Sequence, residues 1–261
     1  MMFIFRFFFG RSIHMAYLYL ILIVLLFIWM LWWCMYKKRV KTVTHSFTYQ
    51  DPLNGPSTYR IYLFDNFLTA KECEVIQRCA TPRLKPSATL AGIHPDRTSD
   101  TCFIRMADLA PQHKGILQKI KNFTAEITKT SIDQQELLQV CRYEKDQFYK
   151  AHFDACDPYE GSDALSCQKD NAMHGIRYAT LLIYLNDVVS GGETHFPKVD
   201  YTCKPKRGRA VLFYNLTQSN RQLPQQHPLS IHAALPVKDG EKWVCNQWVR
   251  LPIKENRQTD L

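Results

Sequence analysis

This sequence predicts an α+β protein whose sheets pack as a sandwich or jelly roll, with helices ahead of the strands and one membrane-spanning helix ahead of both. Three observations predict it: an uncharged apolar run near the N-terminus, helical periodicity in the region that follows, and short strand-like runs separated by turn signals after residue 137. With 261 residues, 46% of them apolar, the chain has enough material for one large packed core. Its net charge of +9 suggests a nucleic-acid binder until the charges are located. Residues 1–41 hold six bases, Arg6, Arg11, Lys37, Lys38, Arg39 and Lys41, and no acid, which leaves 27 basic against 24 acidic residues elsewhere. No basic face for DNA or RNA remains.

The excess flanks the apolar run 15–35, which as a helix spans about 30 Å, the thickness of the hydrocarbon layer. A cleavable leader has a shorter core ending in small residues, whereas this run continues through Trp29, Trp32 and Trp33 into Tyr36-Lys37-Lys38-Arg39. An uncleaved anchor at about 13–36 is expected, within an N-terminal region 1–36. The basic flank at 37–41 outnumbers Arg6 and Arg11 and by itself would put the large domain in the cytosol. Two signals oppose it. Outside the span lie eight cysteines, an even number that suits an oxidising compartment, with Cys156 and Cys167 the first candidate pair. Asn122-Phe123-Thr124 and Asn215-Leu216-Thr217 are N-glycosylation acceptor patterns. A domain in the lumen of the endoplasmic reticulum or Golgi is therefore expected, with Asn122 as its glycan site.

Residues 37–56, with Pro52, Asn54, Gly55 and Pro56, read as a polar stalk. The domain proper runs from 57 to 253, before a polar tail, 254–261. Residues 58–64 alternate as a strand does, and Thr69 with Glu72 forms a capping box that opens a helix to about Ala80. Ile116, Ile120, Phe123 and Ile127 share one helical face, with Asn122 well off it. Strand-like runs follow at 138–144, 148–153, 176–185, 209–214, 229–234 and 243–249, separated by turns such as Gly191-Gly192 and Lys238-Asp239-Gly240. Residues 155–175 read as an irregular loop.

The chemistry gathers around His152. In Tyr149-Lys150-Ala151-His152-Phe153-Asp154 strand alternation puts His152 and Asp154 on one face, able to fill adjacent positions of one metal. Two His and one carboxylate leave three positions open, the arrangement by which iron(II) accepts an organic cosubstrate and O₂ together. His232 supplies the candidate third ligand. Ten residues later Lys242 follows a turn, and a lysine brought inside a sheet core needs an anionic partner, which a dicarboxylate would supply.

These residues, with RYATLLIYLNDVVSGGETHFP at 177–197, SIHAALPVKDGEKW at 230–243, the closing Trp248 and the earlier Arg97-Thr98-Ser99, resemble the prolyl 4-hydroxylases, iron(II)- and 2-oxoglutarate-dependent dioxygenases, over about 57–251. The likeness is to the short, single-anchor type. It implies a double-stranded β-helix (jelly-roll) core with N-terminal helices packed on it. It implies that His152, Asp154 and His232 bind Fe(II), that Lys242 pairs with the far carboxylate of 2-oxoglutarate assisted by Tyr143 and Thr194, and that Tyr149, Arg177, Trp248, Arg97 and Ser99 line a groove for a proline-rich or collagen-like peptide. L-ascorbate is the implied reductant. The family pattern commonly has glycine where Asp146 stands and an acid where His227 stands. Two other readings stay open at this point: an oxygenase of the same kind with a non-proline substrate, and a membrane-anchored binding module without turnover.

Overall fold

The computed structural model describes residues 18–31, 40–51, 55–89, 92–156, 164–217 and 225–252, and the chain falls into two units, Met1–Lys41 and Thr42–Leu261. In the first, helix α1 covers 18–31 with its side chains exposed. Among the described residues no helix is long and apolar enough to cross a membrane. The span expected at 13–36 is thus met only by a helix at its centre, and its two ends lie outside the described residues.

From Lys41 onward strands outnumber helices. Its order is β1 (Lys41–Asp51), β2 (Gly55–Asp65), α2 (Ala70–Ala80), β3 (Lys85–Pro86), β4 (Ala88–Thr89), β5 (Gly92–Ile93), β6 (Asp100–Ile104), α3 (Lys114–Thr128), β7 (Leu138–Tyr143) and β8 (Tyr149–His152). Then come α4 (Ala164–His174), β9 (Ile176–Tyr184), β10 (Ser190–Gly191), β11 (Thr194–Phe196), β12 (Tyr201–Cys203), β13 (Ala210–Tyr214), β14 (His232–Ala234), β15 (Val237–Asp239) and β16 (Lys242–Leu251). An eight-stranded sheet has the order β1-β2-β13-β9-β16-β7-β6-β3, and a four-stranded sheet the order β12-β11-β14-β8. Side chains of both sheets meet in one core, with Ile61, Leu182, Tyr184, Phe213 and Val244 from the larger and Phe196 and Cys203 from the smaller. The expected jelly-roll core is present.

Local chemistry explains each helix. Thr69 accepts from the Glu72 backbone while Glu72 accepts from the Thr69 backbone, so the capping box opens α2 as expected. In α3 the inward face is Leu117, Ile120, Thr124 and Thr128, with Ile116, Phe123 and Ile127 half-buried beside it. The Phe123 ring packs on Phe64 and Phe67. Two expectations need correction. The polar stalk is largely strand: in β1, His45, Phe47 and Tyr49 are half-buried while the alternate Thr and Ser residues face outward. The irregular loop at 155–175 contains α4, and the disulfide Cys156–Cys167, paired as expected, ties it to the chain after Asp154. The other six cysteines outside the span are free thiols, so cysteine parity carried less than it promised.

Candidate active site

Two short strands of the smaller sheet build the metal end. β8 and β14 run antiparallel, with His152 at the end of one directly opposite His232 at the start of the other. Asp154 lies in a bend just past β8, not on the strand as alternation suggested. The three side chains still converge, with their ligand atoms all within 4.8 Å of one another. His152 Nε2 is 3.7 Å from Asp154 Oδ1, and His232 Nε2 is 3.8 Å from Oδ2.

The donor set fits a divalent cation. His152 Nδ1 lies 2.8 Å from the Lys150 carbonyl and His232 Nδ1 2.9 Å from the Ser230 carbonyl. A carbonyl only accepts, so each Nδ1 carries the proton and each Nε2 keeps a lone pair for a metal. Burial and the neighbouring His232 push His152 down to about 3, leaving a neutral imidazole at neutral pH. Burial alone would lift Asp154, but the Arg177 guanidinium and a hydrogen bond from Thr180 favour the ionised carboxylate, which sits below its ordinary value.

A cavity of about 380 Å³ leads from these residues to Lys242. Along β16 every second side chain, Lys242, Val244, Asn246, Trp248 and Arg250, faces this cavity, as strand geometry requires. Lys242 is 1% exposed, opposite Tyr143 in the β7–β16 register. Its ammonium sits 5.2 Å from the Tyr143 ring centre and 5.8 Å from that of Tyr184, with no hydrogen bond or ion pair among the described residues. Burial pushes it down to about 8. Thr194 lines the same end, its Oγ1 2.6 Å from the Tyr184 hydroxyl, which also lies 3.2 Å from the Cys203 carbonyl. Gly191 and Gly192, at φ of 77° and 71°, make the turn before Thr194, and a Cβ on Gly191 would strike the Pro236 carbonyl.

Residues 138–250 match the 2OG-Fe(II) oxygenase superfamily. Prolyl 4-hydroxylase 1 of Arabidopsis thaliana is 35% identical over 210 residues, spanning 73% of this chain and 69% of that protein. Prolyl 4-hydroxylase 13 of the same plant is 33% identical over 220 residues, 76% and 74% respectively. The chain belongs to the prolyl 4-hydroxylase family. Among solved structures, the viral collagen prolyl hydroxylase of Paramecium Bursaria Chlorella virus-1, in complex with 2OG, aligns with a TM-score of 0.53 at 28% identity, over 72% of this chain and 94% of that one.

The other wall of the cavity in this family member carries most of the expected groove residues. Tyr149 stacks on the His152 ring at 3.6 Å between centres. Arg177 lies 3.5 Å over the Trp248 ring and makes a two-pronged ion pair with Glu136. Arg97 sits over Tyr149 at 4.9 Å. Ser99 does not line the cavity. It is buried just ahead of β6, hydrogen-bonded to Tyr143 and to Ser87.

Four contributors were missed. Glu136 bridges Arg177 and Arg250, and Arg250 in turn holds Asp170 of α4. Thr180 and Asn215 sit behind Asp154. Continuing the strand alternation from Lys242 would have found Arg250. The two family departures are absorbed locally. Asp146 has φ 65°, the left-handed region that glycine enters freely and Asp tolerates. His227 Nδ1 accepts from the Leu229 backbone at 3.1 Å, doing at the turn before His232 what an acid's oxygen would do. Asn122 is exposed on α3, its Oδ1 accepting from Gln118, whereas Asn215 is fully buried and closed to glycosylation.

Proposed function

We propose that the protein hydroxylates C4 of peptidyl proline in proline-rich or collagen-like chains, using Fe(II), 2-oxoglutarate and O₂, releasing succinate and CO₂, with L-ascorbate as reductant. One observation supports this above all others. A carboxylate and two imidazoles with free Nε2 atoms share a cavity with a buried ammonium that makes no ion pair among the described residues. Bound iron(II) with 2-oxoglutarate and O₂ supplies the oxidant that converts a proline C–H to C–OH. The residues supply position. His152, Asp154 and His232 hold the metal, and Lys242, with the hydroxyls of Tyr143 and Thr194, fixes the far carboxylate of the diacid. Tyr149 and Trp248 line the cavity that would receive a polyproline II chain, which is extended before it binds and so loses little entropy. The walls keep bulk water from the reacting atoms.

Mass analysis of a proline-rich peptide incubated with Fe(II) and ascorbate tests this. A gain of one oxygen on proline that requires 2-oxoglutarate is expected, and turnover of the cosubstrate with unmodified proline would point to another substrate. The apolar run at 13–36 is proposed as a single-pass anchor, with the domain in the endoplasmic reticulum or Golgi lumen and a glycan on exposed Asn122. The Cys156–Cys167 disulfide supports that compartment. Endoglycosidase sensitivity and protease protection in sealed vesicles are the expected results.

A further inference from the structure

His152 and His232 are each aimed by a carbonyl two residues earlier in the chain. Asp154 has no such local support, since it lies in a bend past the end of β8. Its support comes from two buried polar side chains that the reaction itself does not use, Thr180 on β9 and Asn215 just past the end of β13. Thr180 Oγ1 donates to Asp154 Oδ2 at 2.7 Å, and Asn215 Nδ2 donates to Thr180 Oγ1 at 2.9 Å. Thr180 is 1% exposed and Asn215 fully buried. The Asn215 backbone is pinned on both sides, its N–H donating to the Tyr178 carbonyl at 2.8 Å and its own carbonyl accepting from His227 N–H at 2.7 Å.

The direction of these bonds follows from chemistry. An ionised carboxylate only accepts, so the single Thr180 hydrogen is committed to Asp154. The hydroxyl oxygen then has lone pairs alone to offer, and only the amide nitrogen of Asn215 can satisfy them. Asp154 Oδ2 is thereby occupied, while Oδ1 accepts no hydrogen bond among the described residues.

We propose that Thr180 and Asn215 are positioning residues: a relay that locks the Asp154 carboxylate so that Oδ1 alone is presented to the metal. The Asn215-Leu216-Thr217 tripeptide then serves the metal centre rather than glycosylation. This rests on the triad being the metal site. Supports of this kind, removed, typically cost 10- to 100-fold in metal affinity.

Titrating the metal-free full chain with Co(II), followed by its visible absorption, tests the relay without requiring turnover. Thr180→Val should bind roughly 10- to 100-fold more weakly than the native chain. Thr180→Ser, which keeps the hydroxyl, should stay within a few-fold, and Asn215→Leu should fall between. Thermal unfolding of each metal-free variant separates loss of fold from loss of aim. Native affinity in Thr180→Val would overturn the relay, as would a Thr180→Ser variant as weak as Thr180→Val. If Thr180→Val fails to fold, Asn215→Leu decides, and unchanged affinity there overturns the role of Asn215. Peptide mapping of chain secreted from a glycosylating host should find Asn215 bare; a glycan on it overturns the relay. A native chain that binds no Co(II) overturns the triad itself, a separate result.

Discussion

The two ends of the cavity are finished to different degrees. At the metal end every supporting contact is already made: both imidazoles rest on carbonyls and Asp154 on Thr180. At the other end Lys242 is buried among rings, with no ion pair among the described residues. The metal end is preorganised by the fold, whereas the diacid end stores an unfavourable desolvation that the right ligand relieves. Loss of a residue at one end should therefore behave unlike loss at the other.

The largest effect belongs to the metal end. Asp154→Ala and His232→Ala should drop succinate formation to background and abolish metal binding, measured by coupled turnover and by metal titration. Next comes Lys242→Met, which leaves a carboxylate unpaired in the cavity. About 2 kcal/mol or more of cosubstrate binding should go, a rise in the 2-oxoglutarate requirement of roughly 30-fold or more with metal affinity unchanged.

The same variant should be more stable than the native chain when no diacid is bound, and the pH dependence gives the sign. Burial holds Lys242 at about 8 in the fold, against roughly 10.4 in an unfolded chain. Its desolvation penalty, on the order of 3 kcal/mol, is fully present below about pH 8 and fades as pH rises toward 10.4. Denaturant titrations should show the advantage of Lys242→Met over the native chain to be largest near neutrality and to shrink across that window. Equal advantage at pH 7 and 10.5 would mean that Lys242 is not a desolvated ammonium.

Smaller effects are expected away from both ends. Cys156→Ala with Cys167→Ala frees α4, whose Cys167, Asp170 and Asn171 line the cavity. Closing a loop of 11 residues' separation is worth up to about 3 kcal/mol. The double variant should melt earlier and need several-fold more peptide, with the 2-oxoglutarate requirement unmoved. Asn122→Gln should change stability by less than about 0.5 kcal/mol, and gel mobility of chain from a glycosylating host should report the lost glycan.

The same contrast explains what could be seen in advance. His152, His232 and Lys242 were legible because strands of period two and fixed spacing carry them, and the capping box at Thr69 is a purely local signal. The α4 helix was not legible: its inward residues are Cys167, Asp170 and Asn171, while Leu165 and Met173 face outward, so it lacks the apolar stripe that marks a helix. The β1 strand was hidden by the Pro52, Asn54 and Gly55 signals after it, although its own alternation was there to read. Thr180 and Asn215 lie 26 residues or more in sequence from what they support, and only the fold brings them together. Ser99 failed for a related reason, since proximity in a motif does not say which way a side chain turns.

Anaerobic titration of 2-oxoglutarate into the Fe(II)-loaded chain, read by its visible charge-transfer absorption, joins both ends of the cavity in one observable. The band should appear with the native chain, require much more 2-oxoglutarate in Lys242→Met, and be absent in Asp154→Ala. A native chain that takes up Fe(II) and shows no band at any 2-oxoglutarate concentration would contradict the assignment of this cavity.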